Sequence, residues 1–108
     1  MNPIKPGMWR VQLVEVNSKP AGETEDFGLL ISTPEALRLD PAGIVFRFQQ
    51  ATERTAVLES RSQVFFAEFH TRGDRLTINM SRPAFAEKIT IVAAWEAEIM
   101  EPSVVKSA

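Results

Sequence analysis

Apolar and polar residues alternate in short runs along most of the chain, the pattern of strands that bury one face and wet the other. In "GIVFRFQQ" the period of two puts Ile44, Phe46 and Phe48 on one face and Arg47 and Gln49 on the other. "DRLTINMS" sets Leu76, Ile78 and Met80 against Arg75, Thr77 and Asn79. The last run, "EKITIVAAWEAEI", aligns Ile89, Ile91, Ala93, Trp95, Ala97 and Ile99 against Lys88, Thr90, Glu96 and Glu98. A strand of about 11 residues exceeds the usual globular length, so it is expected to curve around a barrel or span a sandwich. "QVFFAEFH" has one consistently apolar face, Phe65, Ala67 and Phe69, and leaves Val64 and Phe66 to share the other with Glu68.

Turn residues separate these runs. Asp40-Pro41-Ala42-Gly43 places Pro where a type I turn fixes φ and Gly where the chain leaves with φ positive, which predicts a hairpin. Thr71-Arg72-Gly73-Asp74 and Ser60-Arg61-Ser62 predict two more. The polar stretch "NSKPAGETED" reads as a mobile surface loop, and "SRPAFAE" as a loop before the last strand. Ser32-Thr33-Pro34-Glu35 resembles a helix start, and "QQATERTAVLES", residues 49–60, is rich in helix formers, so the pattern leaves open whether 33–38 and 49–60 are short helices or the strands of the hairpins that "ALRL" and "TAVLE" enter. The expected fold is all-β: a single small antiparallel barrel or sandwich of about seven or eight strands with at most one or two short helical turns, over residues 1–101. Residues 102–108 are expected to form a flexible tail.

Composition narrows the function classes. A chain of 108 residues holds one core, and 12 Lys and Arg against 14 Asp and Glu give a formal charge of −2, which attracts it neither to nucleic acid nor to an acidic membrane. Arginines nevertheless concentrate in the middle of the chain, at Arg47, Arg61, Arg72, Arg75 and Arg82 among others. With Phe65 or Phe66 they define a third function class, a nucleic-acid-binding barrel of the oligonucleotide-binding type. Absence of cysteine removes disulfides, thiolate metal sites and thiol nucleophiles, and suits a reducing cytoplasm, the expected location. No signal peptide or apolar span is expected, and with them no membrane contact.

Candidate chemistry is sparse. Gly7-Met8-Trp9, ahead of the Val- and Leu-rich run "RVQLVEV", resembles the Gly-x-Trp that opens the lipocalins and related calycin barrels. The resemblance covers three residues and implies an up-and-down barrel with an apolar ligand cavity, reached near Trp9 and Trp95. It also implies an arginine packed on the tryptophan from near the end of the last strand, and no Arg follows Arg82. His70, the single histidine, lies on one strand face with Glu68, a pair without the further ligands that a metal or acid–base site needs. Arg72-Gly73-Asp74 spells an adhesion tripeptide and equally fits a turn. No phosphate-binding glycine loop or nucleophile elbow occurs. No enzyme and no cofactor is therefore expected. The leading expectation is a binding module that associates with a protein partner or with itself through Val64 and Phe66, ahead of a carrier of a small apolar ligand at Trp9 and Trp95.

Overall fold

A computed structural model describes residues 2–20 and 27–99. Among the described residues nine strands follow one another: β1 Gly7–Val16, β2 Lys19–Pro20, β3 Leu29–Ser32, β4 Ala36–Asp40, β5 Ile44–Ala51, β6 Thr55–Ser60, β7 Gln63–Arg72, β8 Arg75–Arg82 and β9 Glu87–Ala97. Every pairing is antiparallel between sequence neighbours except that β1 also pairs with β3 and β9. The second contact closes the sheet, so β1 and β3–β9 form an eight-stranded up-and-down barrel with β2 as a short extra strand on β1. The choice left open between barrel and sandwich falls to the barrel.

Alternation explains the core. Leu76, Ile78 and Met80 of β8 point inward, as do Phe65, Ala67 and Phe69 of β7 and Ile91 and Ala93 of β9, and all are buried. Eight strands leave an interior just wide enough for side chains. The inward residues fill it, with Leu30, Leu37, Leu58 and Ile4 among the most deeply buried. Three bulges adjust the parity. In β1 the register shifts between Val11 and Leu13, so the inward series runs Trp9, Val11, Val14; in β5 it shifts between Phe48 and Gln50, which brings Ala51 against the core. The third lies on β9. Trp9 pairs with Trp95 and Met8 with Ala97, so the inward run ends at Trp95, while Ala97 and Ile99 stay half-buried outside the core cluster.

The hairpins form where the turn residues predict them, with two differences in detail. The Asp40–Pro41 peptide is cis, unlike a type I turn, and Gly43 leaves at φ +73°. Arg61 and Ser62 take φ +52° and +65°, as do Asn17 and Ser18 at +52° and +67°, so both two-residue turns use positive φ without glycine. The first part of the expected loop is therefore the β1–β2 turn; residues 21–26 and the expected tail lie outside the described residues. The choice between helix and strand left open at 33–38 and 49–60 falls to strand. Thr33-Pro34-Glu35 is a tight connection in which Thr33 N donates to Ala36 O at 3.0 Å, and residues 36–40, 44–51 and 55–60 are strands. Leu37, Leu39, Ala56 and Leu58 each gain a buried place in the barrel, and that burial outweighs a helix propensity of a few tenths of a kcal/mol per residue. A short 3-10 turn, Pro83–Phe85, precedes β9.

Candidate functional site

The two ends of the barrel differ. At the end where β1 begins, the segment before Gly7 folds across the opening. Ile4, 1% exposed, enters the core. Asn2 anchors the segment, its Nδ2 donating to Ser32 Oγ at 2.6 Å and to Thr33 O at 2.7 Å, and Ser32 Oγ donates to Ile4 O at 3.4 Å. Trp9 lies buried beneath it, Nε1 donating to Lys5 O at 3.1 Å. Trp95 meets Trp9 edge to face, centroids 5.2 Å apart at 80°, and carries Lys5 Nζ 3.9 Å above its ring. The structure thus brings together the two tryptophans singled out as ligand-binding, in a pair that packs the barrel end. The cation stacked there is Lys5, on Trp95, where the resemblance implied an arginine from the last strand.

At the other end, where β7 starts and β8 finishes, the outer face is apolar. Val64 and Phe66 are 51% and 52% exposed on β7, and Phe85, on the 3-10 turn, is 69% exposed. Together with Ser62, Gln63, Arg82 and Ala84 they line an open cleft of about 600 Å³. Val57 extends the patch through its pairing with Phe66. The expected partition of β7 holds: Phe65 is inside, Val64 and Phe66 outside.

Arg82 is the sole charged residue among those lining the cleft, and its side chain is 13% exposed. It takes the inward position that follows Leu76, Ile78 and Met80, which places a guanidinium at the barrel mouth. The group lies 4.0 Å from the centroid of Phe85 and 5.5 Å from that of Phe65. Nη1 donates to Gln63 Oε1 at 3.0 Å and meets Glu87 Oε1 at 3.3 Å. Sequence reasoning missed Phe85 and the role of Arg82. The signals were an isolated Phe among the Pro and Ala of a loop, and the parity of β8, whose next inward position after Met80 is Arg82.

The other candidates do not converge. His70 Nε2 and Glu68 Oε2 are 3.6 Å apart on the outside of β7, both largely in water. No group of three or more metal-ligating side chains occurs among the described residues. Arg72-Gly73-Asp74 turns the β7–β8 hairpin, Gly73 at φ +60°, with Asp74 O accepting from Trp95 N at 2.7 Å. Arg47 and Arg61 flank a shallow cleft with Glu59, whereas Arg72 and Arg75 face each other at the opposite end of the barrel. The arginines therefore share no face, and eight meandering strands replace the five-stranded barrel on which the nucleic-acid expectation rested. No helix of the described residues is long and apolar enough to cross a membrane. No protein-family model, curated protein or solved structure matches the chain.

Proposed function

We propose that the barrel is a non-enzymatic binding module that associates with a protein partner, or with a second copy of itself, through the outer face bearing Val64, Phe66 and Phe85. One observation carries this reading: three large apolar side chains, each more than half exposed, border a single cleft beside a barrel whose interior is already filled. Such clustering on a small protein marks a contact surface, because exposed apolar groups scattered singly cost little and a contiguous patch costs solubility. A lipocalin-like carrier of a small apolar ligand is the second reading, favoured by Gly7 and Trp9 at the end of a closed eight-stranded barrel.

Light scattering across a concentration series, with native mass spectrometry for retained small molecules, separates the two. Under the association reading any gain in mass with concentration is lost in Phe66→Ser, and no lipid-sized molecule is carried. A monomer that retains such a molecule would instead establish the carrier.

A further inference from the structure

We infer that the partner docked in the Val64–Phe66–Phe85 cleft is a protein segment that joins apolar side chains to an Asp or Glu, whose carboxylate meets Arg82. This rests on the association reading and adds the chemistry of the partner to it. The cleft is open and about 600 Å³ in volume, and its lining is apolar apart from Ser62, Gln63 and Arg82. The charge that lines it is positive; Glu87, which pairs with Arg82, does not line it.

The geometry of the guanidinium supplies the rest. The guanidinium carbon lies 4.0 Å from the centroid of Phe85, a cation–π contact that engages none of the N–H donors as a hydrogen bond to an oxygen. Among the described residues the hydrogen bonds of Arg82 all leave from Nη1, to Gln63 and Glu87. These two acceptors hold the side chain in place, so its ordering is complete before a partner arrives. A carboxylate entering along the apolar floor of the cleft would meet an already oriented, largely desolvated donor, the setting in which charge-assisted hydrogen bonds are strong. Glu87 is then an internal competitor as well as an anchor, because its charge offsets that of Arg82.

The competition makes the inference testable in two directions. Short random peptides displayed on phage are selected against the full-length protein, and enriched peptides are measured by fluorescence anisotropy on the wild type and variants whose folding is checked by circular dichroism. Enriched peptides are expected to combine apolar residues with Asp or Glu. Changing that carboxylate to an amide, or Arg82→Gln in the protein, should weaken binding about tenfold, with little further loss when both are changed. Glu87→Gln should tighten binding about threefold, a sign that a purely structural role for the Arg82–Glu87 pair would not give and that stays readable if Arg82→Gln folds poorly. Enrichment of peptides without a carboxylate, indifference to Arg82→Gln, weaker binding by Glu87→Gln, or enrichment of none overturns the inference. So does saturable binding of dodecanoate with the same Arg82 dependence while peptides fail. Phe66→Ser separates the two levels: if it abolishes peptide binding while Arg82→Gln leaves it intact, association through this face stands and the acidic requirement falls. If peptides bind Phe66→Ser undiminished, both fall.

Discussion

Gly7 sits at φ +147°, in a region that side chains rarely adopt, and a Cβ built on it would lie 2.8 Å from Ala97 O and against the ring of Trp95. The first position of the Gly-x-Trp is thus explained locally: β1 must pass beneath Trp95 with no side chain in the way. Gly7→Ala should cost about 2–3 kcal/mol in urea unfolding, from backbone strain and the displaced indole. At position 91 the argument is burial alone. Ile91 is 1% exposed, so Ile91→Asp places an unpaired charge in the core and should abolish folding, whereas Thr90→Asp on the outer face should shift the melting temperature only slightly. Equal losses would refute the alternation of β9. Inward positions such as Ile78, Phe65 and Ile91 were legible because each has an apolar neighbour two residues away. Arg82 was not, since a charged residue at an inward position breaks the pattern that identifies inward positions, and its Phe85 and Gln63 partners come from a turn and another strand.

Elements were legible where alternation and turn chemistry agreed, as at the β4–β5 and β7–β8 hairpins. They stayed ambiguous at β4 and β6, where Ala, Leu and Glu favour helix and only the sheet environment decides. Thr55–Ser60 does alternate, with Ala56, Leu58 and Ser60 buried, but Ala and Ser are weak markers of a face. The bulges of β1, β5 and β9 were invisible for a related reason: each inserts a residue that shifts parity without a composition signal, and closure of the barrel supplies the cause. The β6–β7 turn gives the test at this scale. Arg61 and Ser62 both adopt positive φ, and the two-residue turn that demands it favours Asn-Gly. Replacing the pair by Asn and Gly should stabilise the protein by about 0.5–1 kcal/mol, seen as a higher urea midpoint with unchanged slope, through relief of left-handed strain partly offset by the freedom Gly adds to the unfolded chain. A lower midpoint would mean that the side chains of Arg61 and Ser62 hold the turn.

For the whole molecule the decisive quantity is how much of the interior its own residues occupy. The Gly-x-Trp resemblance implied a closed barrel and a cavity within it; the closed barrel is observed, and inside it lie Phe46, Phe65, Leu76, Ile78 and Ile91, with Phe46 and Phe65 packed edge to face 5.5 Å apart. One end is packed by Ile4 and the Trp9–Trp95 pair, and at the other Arg82 is held against its neighbours Gln63, Glu87 and Phe85. An apolar molecule entering such a barrel must displace packed side chains, which costs what packing gave. Trp9 is the reporter for this. Trp9→Ala should lose about 3–5 kcal/mol through lost burial and the cavity left behind, and apolar probes at micromolar concentration should leave the tryptophan emission of the wild type unchanged. Probe binding at the outer cleft is compatible with that result, since Phe66 and Phe85 lie at the end opposite both indoles. Saturable quenching of the wild-type emission by a fatty acid, retained in Phe66→Ser, would place the ligand inside the barrel and make the carrier reading the better one.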